Sequence, residues 1–320
     1  MNVLVVRNDK LGDFITALPA CKILSNHPKV SKVSVLVAPL NEALAKECDF
    51  IDEVIVDRGE SVLELAKKLR EHNFDISFTL FSNTRVALAQ FLAFIPKRYA
   101  PATKIAQIFY NKRIKQRRSQ VKMAEFEYNI DLITKAFESI DTTYPQPLCV
   151  FDDAKEVYDD FAKKYNIKKE VLAFHVGFGG SSDANYSLDE YVEMIEVVLK
   201  QEKYQVVCTF GPDETNLKEI MEQKLQDKDV VFYLSTEGLV YFAKILSGFK
   251  LFVSTSTGTY HLASLVGTPT LTFFADTLFA SSKRWKSIGD ETLQQHFMLP
   301  EDKTKRKEML QEVKKLLLSS

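Results

Sequence analysis

The sequence contains little cysteine, no excess of either charge and no long apolar run. Its four cysteines are widely spaced and form no C-x-x-C pair, which argues against a zinc site or a disulfide framework and fits a reduced, cytosolic compartment. The 42 Lys and Arg residues nearly balance the 43 Asp and Glu residues, so no overall charge favours nucleic acid or an anionic membrane. No apolar run is long enough for a signal peptide or a membrane span. We therefore expect a cytoplasmic protein whose membrane contact, where it occurs, is peripheral.

The sequence also lacks the motifs of several enzyme classes. Neither a P-loop nor the nucleophile turn of a serine hydrolase is present. A metal-dependent sugar transferase would need a D-x-D motif at the end of a strand, where it holds a cation on the diphosphate. The one D-x-D, at residues 227–229, precedes its predicted strand instead. We therefore predict no metal site and no cofactor.

Short apolar runs alternate with longer amphipathic stretches along most of the chain, which is typical of an α/β fold with mainly parallel sheets. Strands are predicted at residues 2–6, 33–37, 53–56, 75–79 and 97–99, and again at 171–176, 205–210, 230–234, 251–254 and 270–274. The main helices are predicted at residues 14–24, 62–70, 84–93 and 188–200. Ser187 and Glu190 form a capping-box pattern at the start of the last of these helices.

The domain organisation follows from the same pattern. Two prolines among polar residues at 141–153 indicate a linker. We therefore predict two similar Rossmann-like domains that face a central cleft, at residues 1–147 and 148–300. Met309, Val313 and Leu317 are spaced as on one face of a helix, which predicts an amphipathic helix at 301–320 that needs a partner surface.

The sharpest motif is a buried strand followed by small hydroxyl residues and then by a helix. Backbone N–H groups at such a helix start can bind a diphosphate, because the helix N-terminus is partly positive. The candidate diphosphate-binding residues are Ser256, Thr257, Gly258 and Thr259. His261, in the first helical turn, is a candidate hydrogen-bond donor to the leaving group. The alternative is that Ser256 and Thr257 only cap the helix and His261 fills a satisfied polar position.

Two carboxylates follow other predicted strands. Asp13 comes after the first strand, at the edge of the sheet where open α/β folds place their chemistry, so it is a candidate general base. It could instead be the N-cap of a helix that starts at Phe14. Glu214 is a candidate acceptor for the two ribose hydroxyls of a nucleotide, or a first-turn acid that complements the dipole of its own helix. Gly179, in a glycine-rich loop, could approach a phosphate or could belong to a mobile connection.

One segment is strongly basic. Residues 101–124 contain seven Lys and Arg residues and no acid. Because Ile105, Ile108 and Phe109 are interleaved with these cations, we favour a role in binding an anionic acceptor or a membrane over a solvated surface loop. Nucleic acid could use the same mixture, but nothing else in the sequence supports it.

Several motifs together resemble the lipopolysaccharide heptosyltransferases, glycosyltransferase family 9. The family has a D-T-G-x-x-H segment and a G-T-P turn, and this chain has Ser256-Thr257-Gly258-Thr259-Tyr260-His261 and Gly267-Thr268-Pro269. The other matching motifs are Arg7, Leu11-Gly12-Asp13, Ala17-Leu18-Pro19-Ala20, Gly211-Pro212-x-Glu214 and Arg284-Trp285. The resemblance implies a GT-B fold, with the acceptor in the N-terminal domain, the donor in the C-terminal domain and Asp13 as the base.

Two departures from the family pattern bear on the donor. The family usually has Asp at the position of Ser256, and a Lys shortly before an aromatic residue where this chain has Ala184-Asn185-Tyr186. The missing carboxylate and the missing cation together suggest a different donor sugar or another way of neutralising the diphosphate. Asn185 is included among the candidate donor-binding residues.

The resulting hypothesis is an inverting, metal-independent glycosyltransferase. It would move heptose from ADP-heptose to a lipopolysaccharide core or a related anionic glycolipid. The expected acceptor-binding residues are Arg7, Lys10, Arg113, Arg117 and Arg118. The alternatives are a transferase of the same fold that uses another nucleotide sugar, and a glycan-binding module that has lost turnover.

Overall fold

The computed structural model describes residues 1–103, 105–177 and 184–319. The chain forms two compact units, Met1–Pro145 and Gln146–Ser320, which meet within the stretch expected to be a linker. Within the described residues each unit contains a six-stranded sheet in which all neighbouring strands are parallel. The predicted α/β fold with two Rossmann-like domains is therefore confirmed. In the same described ranges, no helix has both the length and the hydropathy to cross a membrane.

The first unit has the strand order β3-β2-β1-β4-β5-β6. Its strands are β1 (Asn2–Arg7), β2 (Lys32–Val37), β3 (Glu53–Val56), β4 (Ile76–Thr79), β5 (Lys97–Pro101) and β6 (Lys112–Ile114). Its α-helices are α1 (Leu11–Ile15), α2 (Leu18–Ser25), α3 (Glu42–Lys46), α4 (Val62–Arg70), α5 (Thr84–Leu92) and α6 (Glu125–Thr134), and a 3-10 helix spans Ile105–Phe109.

The second unit has the order β9-β8-β7-β10-β11-β12. Its strands are β7 (Glu170–His175), β8 (Tyr204–Phe210), β9 (Val230–Leu234), β10 (Leu251–Thr255), β11 (Thr270–Ala275) and β12 (Gln294–Leu299). Its helices are α7 (Ala154–Lys164), α8 (Leu188–Leu199), α9 (Thr215–Lys224), α10 (Leu239–Leu246), α11 (Gly258–Leu265), α12 (Ser282–Trp285) and α13 (Lys303–Ser319).

Both sheets have the same order, because β7 to β12 repeat the arrangement of β1 to β6. The central strands are buried on both faces, and Val3, Leu4 and Val6 of β1 have no exposed surface, as expected for strands covered by helices on both sides. In this order the direction of winding reverses between β1 and β4, and between β7 and β10. Ligands of such sheets bind at the carboxyl ends of the strands at this reversal, so the segments after these four strands are where a site is expected.

The predicted helix at 14–24 is wrong in its extent, because the structure has two helices there. The first helix already begins at Leu11, with Lys10 at the N-cap, and ends at Ile15. The second begins at Leu18 with Pro19 in its first turn. Proline has no N–H and its ring crowds the carbonyl four residues earlier, so a single helix cannot run through Pro19.

Each predicted strand is present, with ends that differ by no more than two residues, but the edge strands β6 and β12 were not predicted. β6 has the sequence Lys-Arg-Ile and β12 begins with two glutamines. Edge strands are only partly covered and often carry polar residues. They therefore lack the apolar run by which the inner strands were found.

The last helix packs on the second unit. α13 contacts α8, and its Val313 and Leu317 are fully buried in the same core cluster as Tyr191 and Ile195 of α8. Burial of each such side chain contributes about 1.5 to 3 kcal/mol. The capping box predicted at the start of α8 is confirmed, since Ser187 and Glu190 each bond the other's backbone N–H.

Candidate active site

In the first unit, a buried arginine gathers three carboxylates at the carboxyl end of β1. Arg7 is only 3% exposed. Its Nε donates to Asp9 Oδ1 at 2.9 Å and its Nη1 to Glu125 Oε1 at 3.3 Å. Its Nη2 donates to Asp13 Oδ1 in a short hydrogen bond. We call Arg7, Asp9, Asp13 and Glu125 the Arg7 cluster.

The charges of the Arg7 cluster are strongly coupled. Burial opposes the positive charge of Arg7, but the carboxylates of Asp9, Asp13 and Glu125 together raise its pKa, so it stays a cation. Burial also raises the pKa of Asp9 to about 6; the Arg7 charge opposes this rise and the Asp13 charge adds to it. The side chain of Asp13 retains 19% exposure and is thus the member of the Arg7–Asp13 pair that solvent or a ligand can reach.

Asp13 is not the N-cap of its helix. α1 begins at Leu11, so Asp13 is its third residue, and Lys10 occupies the N-cap without a side-chain hydrogen bond. The capping alternative fails because the helix starts two residues before Asp13. Its carboxylate is bound to Arg7 instead, and its backbone carbonyl accepts from the Thr16 hydroxyl at 2.7 Å.

The cations expected to bind an acceptor occupy different environments. Arg118 donates to Glu125 Oε1 at 2.6 Å, and its guanidinium lies over the Tyr128 ring, so it extends the Arg7 cluster. Lys10, Arg113 and Arg117 are exposed. The structure therefore brings Arg7 and Arg118 together around Glu125 and leaves the other three cations at the surface.

In the second unit, α11 begins at Gly258 with Thr257 at the N-cap. The Thr257 side chain does not cap the helix, and its hydroxyl lies 2.9 Å from that of Thr259. Ser256 donates its backbone N–H to Phe273 O at 2.9 Å and so remains tied to the neighbouring strand β11. The first-turn N–H groups of α11 thus lie at the carboxyl end of β10 and receive no cap from Thr257, which is the arrangement expected of an anion site.

His261 lies in the protein interior. It is 4% exposed, and its Nδ1 is 3.0 Å from the hydroxyl of Ser287. Burial, together with a smaller contribution from nearby His296, lowers the pKa of His261 to about 3. At neutral pH it is therefore an uncharged imidazole with a hydrogen-bond partner. This agrees with the alternative that His261 fills a satisfied polar position.

Glu214 is held between a glycine and a buried histidine. It occupies the N-cap of α9, and its Oε2 accepts from the Gly211 N–H at 2.7 Å. A Cβ on Gly177 would lie 2.0 Å from Glu214 Oε1, so a larger residue there would force the carboxylate out of its present position. His175 Nε2 lies 3.9 Å from Glu214 Oε2, and its Nδ1 is 3.0 Å from the Thr209 hydroxyl.

The sequence analysis missed His175. A histidine that ends the buried strand β7, among Leu, Ala and Phe, is an isolated polar residue in an apolar run, and this was the available signal. Burial lowers the pKa of His175, although Glu214 opposes the shift. The histidine is therefore a neutral neighbour of the Glu214 carboxylate.

Asn185 is fixed by three contacts. Its Nδ2 donates to Val176 O at 3.1 Å, its Oδ1 accepts from Tyr191 Oη at 2.9 Å, and its backbone carbonyl accepts from Arg306. The Arg306 guanidinium also lies over the Tyr186 ring. A cation from α13 thus adjoins the segment in which the expected lysine is missing. Gly179, the remaining candidate, lies outside the described residues.

Comparison with known proteins gives a consistent result. The model of glycosyltransferase family 9 (heptosyltransferase) matches residues 62–317. A "Putative glycosyltransferase" of Haemophilus influenzae is 35% identical over 300 residues, which cover 90% of this chain and 86% of that protein. The span matched by the family model does not include the segment from Arg7 to Asp13, so the roles of those residues depend on the geometry above.

Two solved structures share the fold. The E. coli ADP-heptose lps heptosyltransferase II has a TM-score of 0.81 and 17% identity, covering 100% of this chain and 99% of that chain. The E. coli heptosyltransferase WaaC with ADP has a TM-score of 0.73 and 18% identity, covering 98% and 100%. Because the family model spans most of the sequence and the Haemophilus influenzae relative is similar over nearly its whole length, the chain belongs to glycosyltransferase family 9, the heptosyltransferase family.

Proposed function

We propose that the protein is an inverting glycosyltransferase that moves heptose from ADP-heptose to a lipopolysaccharide core or a related anionic glycolipid. Membership of the family supports sugar transfer. The names of the two E. coli proteins, one an ADP-heptose heptosyltransferase and the other bound to ADP, support the donor. The single observation that carries the proposal is Asp13, a partly exposed carboxylate held by Arg7 at the carboxyl end of β1.

Asp13 is the proposed general base. The acceptor hydroxyl oxygen forms a bond to the anomeric carbon while the bond from that carbon to the diphosphate oxygen breaks. Asp13 takes the hydroxyl proton, and the attack from the opposite face inverts the anomeric centre without a covalent intermediate. Arg7 is a positioning residue in this proposal, because it orients the Asp13 carboxylate through a fixed guanidinium fork.

The second unit is the proposed donor site. The backbone N–H groups of Gly258 and Thr259 and the hydroxyls of Thr257 and Thr259 would stabilise the charge that develops on the departing diphosphate. The proposed mechanism uses no metal ion. Glu214 would accept hydrogen bonds from the ribose hydroxyls, and neutral His261 would act only as a hydrogen-bonding group.

The first unit is the proposed acceptor site. Lys10, Arg113 and Arg117 are the exposed cations that can meet phosphates or carboxylates of an acceptor. Arg7 and Arg118 act through the carboxylates that they bind. Such an acceptor would place the enzyme in the cytoplasm, at the inner face of the inner membrane.

A donor other than ADP-heptose is the second candidate. It is favoured by Ser256 in place of the family's usual Asp and by Asn185 in place of a Lys. The Asn185 amide, which is bonded to Val176 and Tyr191, carries no charge and cannot replace a lysine in neutralising a diphosphate. The Arg306 guanidinium donates a hydrogen bond to the backbone carbonyl of Asn185. It is therefore a cation beside this segment that could take the place of the missing lysine.

A donor panel tests the proposal. Purified protein would be mixed with a set of nucleoside diphosphates, and the largest rise in thermal midpoint would identify the base. Chromatography of products from a panel of nucleotide sugars would then identify the sugar. We expect ADP and ADP-heptose to give the largest effects. Transfer from another nucleotide sugar would support the second candidate, and donor binding without transfer or hydrolysis would indicate a glycan-binding module.

A further inference from the structure

One face of the first unit exposes large apolar side chains on two neighbouring segments. Phe94, just beyond α5, is 74% exposed, and Ile105 and Ile108 of the 3-10 helix are 76% and 60% exposed. The two segments are in contact, because Phe91 of α5 and Phe109 of the 3-10 helix have ring centroids 6.0 Å apart. We call the exposed side chains of Phe91, Phe94, Ile105 and Ile108 the apolar face.

The backbone at Phe94 is in an unusual conformation for an aromatic residue. Phe94 follows the C-cap of α5 and has φ of 60°, a left-handed conformation in which Gly or Asn is usual and a bulky residue is strained. Its ring gains little burial in return. A strained and exposed aromatic residue is an outlier that points to a function.

The chain segment that carries the apolar face is rich in cations. Between Asp75 and Glu125 the chain contains ten Lys and Arg residues and no Asp or Glu, although its net charge is −1. Lys97, Lys112 and Arg113 are exposed, and among the described residues no carboxylate lies within ion-pair distance of them. Lys112 and Arg113 lie on the edge strand β6, and Lys97 begins the neighbouring strand β5.

Cations also lie directly on the aromatic rings of the apolar face. The Arg70 guanidinium is 4.7 Å from the centre of the Phe94 ring and donates to Leu92 O. The Arg98 guanidinium is 5.3 Å from the centre of the Phe91 ring and donates to Phe109 O at 2.8 Å. Apolar and cationic groups are therefore mixed at the scale of single side chains.

We propose that the apolar face and the surrounding cations form a docking surface for an anionic lipid bilayer. A bilayer offers headgroup phosphates to the cations and an acyl boundary to the Phe and Ile side chains. A second copy of this face would bring like charges together. Nucleic acid would leave Ile105 and Ile108 without apolar partners. The inference deepens the proposed action on a glycolipid, but vesicle binding can be measured without donor or acceptor.

Vesicle co-sedimentation of the full chain is the test. We expect binding to vesicles that contain phosphatidylglycerol, little binding to vesicles of phosphatidylcholine alone, and weaker binding as salt screens the charges. Phe94→Gly should lower the affinity about tenfold, while its thermal midpoint stays the same or rises, because glycine is suited to the positive φ. Leu278→Ala, an exposed apolar residue of the second unit, should bind as wild type does.

The same experiment can overturn the proposal. Equal binding to both kinds of vesicle, or equal affinity of Phe94→Gly and wild type, would exclude a bilayer-docking role. So would self-association that Phe94→Gly abolishes in the absence of any vesicle binding. Transfer to a soluble acceptor fragment separates the two proposals: transfer without vesicle binding would refute the docking surface alone, and vesicle binding without transfer would refute the proposed reaction alone.

Discussion

The carboxyl ends of β1 and β7 are equivalent positions in two sheets of the same strand order, yet their environments differ. At the end of β1, Arg7 binds the carboxylates of Asp9, Asp13 and Glu125. At the end of β7, His175 is buried, and burial lowers its pKa; in the same unit, burial lowers the pKa of His261 to about 3. The first site is built from full charges and the second mainly from neutral groups and backbone.

This difference matches the two tasks of the proposed reaction. Removing a proton from an acceptor requires an ionised base, and a base in a partly buried site must be paired with a cation. Binding a diphosphate requires donors, and a helix N-terminus with nearby hydroxyls provides them. The same fold thus supports electrostatically different sites through a few residues near the end of each strand.

The largest expected effect is on the base of the charged site. Asp13→Asn should lower the rate about 10²- to 10⁴-fold, because Asn can still accept from Arg7 but cannot take the acceptor's proton. Initial rates at saturating donor and acceptor would measure it. Donor affinity and thermal midpoint should remain close to those of wild type, as should the rate of the control Asp49→Asn, whose side chain is 84% exposed. Near-normal turnover of Asp13→Asn would remove Asp13 from the mechanism.

The next effect concerns stability. Arg7→Met should lower the free energy of unfolding by about 3 to 5 kcal/mol, because it leaves the three carboxylates of the Arg7 cluster without their shared cation. Urea unfolding would measure the loss. Arg7→Lys keeps the charge and should lose less stability, but it cannot reproduce the forked contacts, so the maximal rate of its folded fraction should fall. If Arg7→Met were as stable as wild type, the ion pairs of the Arg7 cluster would not contribute to the free energy of unfolding.

The pH dependence of stability sharpens the comparison further. Asp9 has a folded-state pKa of about 6 against an ordinary value of 3.8. Its contribution to stability is therefore fully present below about pH 4 and is lost as the pH rises through 6. Relative to Asp9→Asn, wild type should lose stability between these limits. Unfolding of both proteins at a series of pH values would measure the difference, and a constant difference would contradict the shifted pKa.

The smallest predicted effect tests the second site. Glu214→Ala should weaken nucleoside diphosphate binding by about 1.5 to 3 kcal/mol, because the ribose hydroxyls lose a charged acceptor. Gly177→Ala should also weaken binding, since its Cβ would displace the Glu214 carboxylate. Calorimetry on the two single variants and the double variant would complete a double-mutant cycle. If the two losses simply add, Gly177 does not act through Glu214.

Strands with an apolar run, including the edge strands β3 and β9, could be predicted more completely than the polar edge strands and the ends of elements. The inner strands have apolar runs and α8 has its capping box, so local sequence identified them. The break between α1 and α2 was missed although Pro19 signals it, because the apolar spacing continues across the break. The polar edge strands β6 and β12 resemble loops, since only a neighbouring strand makes them part of a sheet.

By itself the sequence determined the class of fold and the positions of Asp13, Glu214 and the β10–α11 turn, because these depend on local periodicity and on residues next to each other in the chain. Only the tertiary structure decided which charged groups form ion pairs and which residues leave space for one another. Glu125 meets Arg7 from 118 residues away, and Gly177, in the segment after β7, leaves room for the Glu214 carboxylate. The exposure of Phe94 could not be predicted from the sequence either, since an apolar residue at the end of a helix is ordinarily buried. Burial and long-range pairing arise from packing between segments that are far apart in the chain, so no single segment of the sequence predicts them.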